Sequence, residues 1–255
     1  MNLSGKRVLI TRPRSQAEEF AAALLAEGAV PTFFPVIEIL PPKDFTCVDH
    51  ALQNLKLYDW LVFTSVNAVD AFFNRLDDLG VKEIPTHLQV AAIGSRTALH
   101  LSQFGIKPDH VPAEYVAEGL FSGLKNDIFG KRFLLPQSDL ARDVLTKAIR
   151  ETGGVVDAIV MYRNVLAQPA ASRLEILQEG IDVVTFTSPS TVRNFITVLQ
   201  QNGMDPFRLP GYPIFACIGP ITKKTAEEAG FSKLITASEY TTNGLVEALT
   251  RLVYS

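Results

Sequence analysis

Six short polar runs in this 255-residue chain combine hydroxyl, amide and glycine residues in the manner of an anion-binding surface. They are Thr11-Arg12, Thr64-Ser65 with Asn67, Gly94-Ser95 with Thr97, Gln137-Ser138, Thr187-Ser188 with Ser190, and Gly219 with Thr222. Each directly follows a short apolar run, and most precede a stretch with helical periodicity. Taken singly, a Ser, Thr or Asn in that place is explained as a cap that satisfies the free amides of the next helix. Taken together, several helix N-termini at one edge present N–H groups and positive dipole ends to an anion. A polycarboxylate or phosphate ligand suits such an edge.

Other chemistries lack their residues. There is no Gly-x-Ser-x-Gly elbow and no Gly-x-x-x-x-Gly-Lys-Ser/Thr phosphate loop. No Gly-x-Gly-x-x-Gly follows a strand, which disfavours a dinucleotide site. His50, His87, His100 and His110 are scattered without the spacing of metal ligands, and His100, in a helical pattern, reads as an ordinary histidine. The pairs Asp77-Asp78 and Glu227-Glu228 read as solvated helix faces. An enzyme with this set needs no cofactor or metal and works by positioning and electrostatic stabilisation. Tyr162 stands at the end of the apolar run Val155 to Met161. It either closes a core with its hydroxyl wet or presents a phenol to a ligand as a weak acid or donor.

Composition bounds the partners. The formal net charge is −3, with 47% apolar and 20% charged residues, as in a globular protein. Without Lys/Arg blocks, nucleic acid and anionic membrane are not expected partners. No apolar run approaches the ~20 residues that span a bilayer. The first residues carry only a strand-length apolar run, so no signal peptide is read there and a cytoplasmic protein is expected. In that compartment Cys47 and Cys217 are expected as free thiols. No heptad or large apolar helix face demands a partner, so a monomer is expected.

The elements that position the polar runs come twice. Asp59 to Ser65 resembles Asp182 to Ser188, 123 residues on, and Val69, Phe72 and Leu76 continue as Val192, Phe195 and Leu199. Ile93-Gly94 with Thr97 resembles Ile218-Gly219 with Thr222 at an offset of 125. Gly105, Glu114-Tyr115 and Gly119-Leu120 match Gly230, Glu239-Tyr240 and Gly244-Leu245 at the same offset. Arg7 to Ile10 resembles Arg132 to Leu135, and Gly28 pairs with Gly153. The chain is therefore a duplication, A-B-C followed by A′-B′-C′.

Each unit reads as strand then helix. Strands are expected at 7–10, 30–39, 60–63, 90–93, 132–135, 155–161, 182–187 and 214–218. Helices are expected at 17–27, from 69 to 76, through 101, and near 138–151, 189–201, 221–229 and 242–252. Gly28 sits where a left-handed C-cap belongs. Apolar strands alternating with helices mean parallel sheets covered on both faces. Residues 39–43 and 164–171, with Pro41-Pro42 and Pro169, read as connectors. A linear division would instead cut near Phe129-Gly130.

The motifs Leu9-Ile-Thr-Arg-Pro13, Phe63-Thr-Ser-Val-Asn67, Val90-Ala-Ala-Ile-Gly94 with Thr97, Val160-Met-Tyr162, Phe186-Thr-Ser-Pro-Ser190, Ile218-Gly-Pro-Ile-Thr222 and Thr236 to Leu245 occur in order. In order, spacing and total length the chain resembles the uroporphyrinogen-III synthase family. The resemblance implies an α/β fold of two parallel-sheet domains, duplicated and flavodoxin-like, joined by a two-stranded connector. It implies domain 1 from 1–36 and 169–255, an inserted domain 2 from 41–163, connectors near 37–42 and 164–170, and an active site in the cleft between the domains. The implied reaction closes the linear tetrapyrrole hydroxymethylbilane to uroporphyrinogen III, losing water and inverting ring D through a spiro intermediate, without cofactor. Tyr162, Thr97 and Thr222 would be catalytic. Arg12, Ser65, Asn67, Ser95, Gln137, Ser138, Ser188, Ser190 and Gly219 would bind the eight substrate carboxylates, with Arg96, Arg142 and Arg193 as further cations. The rival expectation is a two-lobed binder or sensor of small anions without catalysis.

Overall fold

The structure is a computed structural model, and it describes residues 3–112 and 128–252. Glu114, Tyr115, Gly119 and Leu120, which carry one stretch of the repeat, lie outside the described residues. The elements in chain order are β1 (Arg7–Ile10), α1 (Glu18–Ala26), β2 (Val30–Phe33), β3 (Ile37–Leu40), α2 (Thr46–Gln53), β4 (Trp60–Phe63), α3 (Val66–Asp78), β5 (Gln89–Ala92) and α4 (Ser95–Ser102). They continue as β6 (Arg132–Ser138), α5 (Val144–Glu151), β7 (Val155–Leu166), α6 (Ala171–Gln178), β8 (Val183–Phe186), α7 (Pro189–Gln201), β9 (Ile214–Cys217), α8 (Pro220–Glu228), β10 (Leu234–Thr236) and α9 (Thr242–Leu252). Among the described residues no helix is long and apolar enough to cross a membrane.

Two five-stranded sheets result, ordered β10-β9-β8-β1-β2 and β3-β7-β6-β4-β5. The first, counted in its own chain order, is the 2-1-3-4-5 arrangement of flavodoxin-like sheets, and its strands pair in parallel. In the second sheet, β7, β6, β4 and β5 are also parallel neighbours, and they stand where β2, β1, β8 and β9 stand in the first. A parallel bridge from Ala91 to His110 supplies the counterpart of β10. Each sheet thus joins the A strands of one sequence copy to the B and C strands of the other. The chain divides accordingly into two compact units, Met1–Glu38 with Val165–Ser255, and Ile39–Asn164.

Both faces of each sheet are covered, which is why the strands are apolar without alternation. In the first unit Leu9, Val184, Phe186 and Cys217 belong to one cluster, and their strand neighbours Val8, Ile10, Val183 and Ala216 to another. In the second, Leu61, Phe63, Val90 and Leu134 face one core, and Trp60, Val62, Ala91 and Phe133 the other. Burying one such Phe fully is worth about 3 kcal/mol.

The repeat also explains the ends of the strands away from the polar runs. Asp59 accepts the Arg132 amide at 2.8 Å and the Lys131 ammonium at 3.1 Å, tying β4 to β6. Its repeat mate Asp182 accepts the Arg7 amide at 2.9 Å and the Lys6 ammonium at 2.8 Å, tying β8 to β1. Gly28 has φ +81°, the left-handed cap expected of it, and Gly153 has φ +87° at the matching place.

Several boundaries differ from the sequence expectation. The extended segment 30–39, expected to be interrupted by Pro31 and Pro35, does break at Pro35 into β2 and β3, but Pro31 is tolerated because β2 is a sheet edge. The helix expected from 138 begins only at Val144, because β6 continues to Ser138 along β7. Ser138 is therefore a strand tip and not a helix start. The strand expected to end at 161 runs to Leu166, since β7 has β3 as a second neighbour. Local periodicity did not reveal α2, α6 or β10, which are short.

Candidate functional site

The polar runs lie at the carboxyl ends of the parallel strands, where open α/β sheets bind ligands. In the unit Ile39–Asn164, β4 ends at Phe63 and Ser65 caps α3, its Oγ accepting the Ala68 amide at 3.2 Å. The same Oγ lies 3.0 Å from the Tyr162 hydroxyl. That contact depends on a register shift. Gln137 pairs with Val160, but Ser138 pairs with Tyr162, so Met161 is an extra residue on β7. A regular strand would aim Tyr162 the way Val160 points, and Val160 is exposed. The bulge turns it instead to the core side, where the ring is 7% exposed beside Met161 and Phe63. The following turn is pinned to β7 by the Asp139 amide on the Tyr162 carbonyl at 3.1 Å and the Asn164 amide on the Asp139 carboxylate at 3.0 Å. Gln137, Ser138 and Asn67 stand half-buried at this edge, Ser95 is exposed, and Thr97 is buried in the first turn of α4.

In the other unit the Thr11 hydroxyl donates to the Thr185 carbonyl at 2.6 Å, and the Thr185 hydroxyl to the Leu9 carbonyl at 2.8 Å. These buried bonds stitch β1 to β8 at the place where strand order reverses. Arg12 is turned inward, 9% exposed, with its guanidinium donating to Gln16 at 3.1 Å. Ser188 forms a reciprocal capping box with Thr191 at the start of α7, both bonds 3.2 Å, and its Oγ is 2.8 Å from that of Ser190. Gly219 begins α8 in an extended conformation and packs under the ring of Tyr240. Thr222 is buried one turn in, and the neighbouring Ile221 is exposed.

The helices at these edges fall into two kinds. Those after β4 and β8 each have one first-turn amide occupied by their own serine, that of Ala68 by Ser65 and that of Thr191 by Ser188. Those after β5 and β9 begin at Gly94 and Gly219, with no side-chain cap. The first turns of α4 and α8 thus lack a side-chain cap from the residue that starts them, and Pro220 brings no N–H to α8. The sequence treats Ser65 and Ser188 alike as ligand-facing residues; locally each spends its hydroxyl on a cap.

Sequence reasoning passed over Arg14. Its Cζ lies 3.6 Å from the centroid of the Phe33 ring, at the tips of β1 and β2. Arg12 precedes Pro13 and Arg14 follows it, but neither position tells from sequence which guanidinium turns outward. His100 bonds Asp70 on the neighbouring helix. Among the described residues no three His, Cys, Asp or Glu side chains converge as a metal site requires. Cys47 is exposed; Cys217 is buried, and burial pushes its thiol up to about 12.

Two parallel α/β units of matching topology, each with hydroxyl-rich strand tips and uncapped helix starts, define a duplicated α/β protein. A family model described as uroporphyrinogen-III synthase HemD matches residues 18–247. The uroporphyrinogen-III synthase of Synechococcus elongatus is 33% identical over 252 residues, covering 97% of this chain and 95% of that protein. A putative uroporphyrinogen-III synthase of Methanocaldococcus jannaschii is 32% identical over 252 residues, covering 96% and 98%. In fold, the chain is similar to the solved uroporphyrinogen-III synthetase of Helicobacter pylori, with a TM-score of 0.66, 17% identity and coverage of 97% and 99%. A solved mutant enzyme from Thermus thermophilus gives a TM-score of 0.60 at 17% identity, covering 98% and 99%. The chain belongs to the uroporphyrinogen-III synthase family.

Proposed function

We propose that both polar edges act on one substrate, hydroxymethylbilane, and close it to uroporphyrinogen III with loss of water and inversion of ring D. The observation that carries the assignment of roles is the hydrogen bond between Ser65 and Tyr162 at the tips of β4 and β7. Ser65 Oγ accepts the Ala68 amide proton; either hydroxyl can be the donor in its contact with Tyr162, and we take Ser65 as that donor. The phenolic hydrogen is then free to be donated to the departing hydroxyl. Pyrrole nitrogen stabilises the cation left behind, so no strong acid is needed.

The harder task is orientation. The substituted carbon of the terminal ring must attack, not the free one, and holding the chain in that shape is entropic work. The uncapped amides of α4 and α8, with Thr97 and Thr222 in their first turns, hold acetate and propionate carboxylates; Ser95, Asn67, Gln137, Ser138, Ser190 and Gly219 line the same edges. The lobes correspond to domain 1 and the inserted domain 2, and the working form is a cytoplasmic monomer, which light scattering on the purified chain tests. Incubation with freshly generated hydroxymethylbilane, followed by separation of type I and type III isomers, tests the reaction itself. Type III product above the spontaneous background is expected. Type I alone would reduce the protein to a binder.

A further inference from the structure

We propose that Arg14 is the cation of the N-terminal turn that takes a substrate carboxylate, with Phe33 as the platform that holds its guanidinium in place. The proposal rests on the reading of the chain as a converter of a polycarboxylate tetrapyrrole. Two arginines flank Pro13, and the fold treats them in opposite ways. Arg12 is turned inward onto Gln16. Arg14 is exposed, and its Cζ lies over the Phe33 ring, 3.6 Å from the centroid. Phe33 closes β2 and pairs with Ile10, the last residue of β1. The stacked pair therefore stands at the same strand edge as Ser188 and Gly219.

Stacking decides what the side chain can do. The ring covers one face of the guanidinium, while all its N–H donors lie in the plane and point outward. That fork matches a carboxylate in bidentate fashion. Arg14 has also given up rotamer freedom before any ligand arrives, so binding costs less entropy. Two other cations on this unit are paired in place, Lys223 with Glu227 at 3.5 Å and Lys224 with Glu228 at 3.9 Å. Among the described residues no carboxylate forms an ion pair with Arg14.

The duplication sharpens the point. At the offset of 125 the residue matching Arg14 is Asp139, whose carboxylate accepts the Asn164 amide. One unit thus offers a stacked cation where the other offers an acidic turn that pins Tyr162. The two edges are chemically unequal, as the substrate of an inverting ring closure is at its two ends.

The test compares the wild-type chain with Arg14→Gln, Arg14→Lys and Phe33→Leu, using freshly generated hydroxymethylbilane at low and raised salt. Arg14→Gln should raise KM roughly five- to ten-fold with kcat within about two-fold, and flatten the salt dependence of KM. Arg14→Lys should fall between, because it keeps charge and loses the fork. Thermal unfolding should be unchanged for both. Arg14→Gln with wild-type KM and salt dependence overturns the proposal, and Phe33→Leu with wild-type KM overturns the platform. A wild-type chain that makes no type III product would instead overturn the functional reading.

Discussion

Replacing Tyr162 by Phe removes one oxygen and leaves the ring. The ring is nearly buried and keeps its packing beside Met161 and Phe63. The lost hydroxyl makes one part-buried hydrogen bond of 3.0 Å, to Ser65, which retains its bond to the Ala68 amide. One neutral bond of that kind is worth about 1 kcal/mol, so the melting temperature should fall by only about 2–4 °C. The catalytic cost is larger if the phenol donates to the departing hydroxyl. A roughly 10- to 100-fold loss of turnover corresponds to about 1.4–2.7 kcal/mol of the barrier. The loss should be partial, because an enzyme that works by orientation spreads its effect over many contacts. The assay is initial-rate formation of type III isomer from fresh hydroxymethylbilane, with the type I fraction measured in the same run. A Tyr162→Phe variant that folds normally and turns over within about two-fold of wild type would remove the tyrosine from the chemistry. Ser65→Ala adds a control: it should lose about 1 kcal/mol of helix capping and, through the freed phenol, part of the same turnover.

Thr222→Ala should raise KM or lower turnover several-fold with little change in fold, and normal values for both would exclude it. The Asp59 and Asp182 carboxyls are raised by burial but lowered further by their amide and lysine partners, so each lies below the usual value of 3.8 in the folded chain. As pH falls the unfolded chain binds these protons first, so their contribution is whole above about pH 4 and vanishes as pH drops through the lower folded values. Asp182→Asn should therefore cost about 1 kcal/mol near neutrality and less in acid, read from urea melts across pH. Cys47 should react with iodoacetamide at pH 8 in the folded chain, while Cys217, its thiol pushed up to about 12, should react only on unfolding.

Much of the fold was legible in the linear string. Strand and helix alternation, the left-handed Gly28 cap and the duplication itself are written in short-range patterns: apolar runs such as Leu61–Phe63, periodic residues such as Val192, Phe195 and Leu199, and a constant offset. These depend on residues within a few turns of one another, and a linear string carries them. What depended on distant partners was not legible. That β1 pairs with β8 and not with β4 is decided by register and by the Asp182 clasp across 175 residues. Arg12 and Arg14 flank the same proline, and the ring under Arg14 comes from Phe33 on the next strand. Most of all, the direction of Tyr162 rests on one extra residue in β7, which inverts the side-chain phase only because Ser138 on the neighbouring strand holds the register. Side-chain composition determined that there would be polar tips; hydrogen-bonded pairing between remote strands determined which way each of them points.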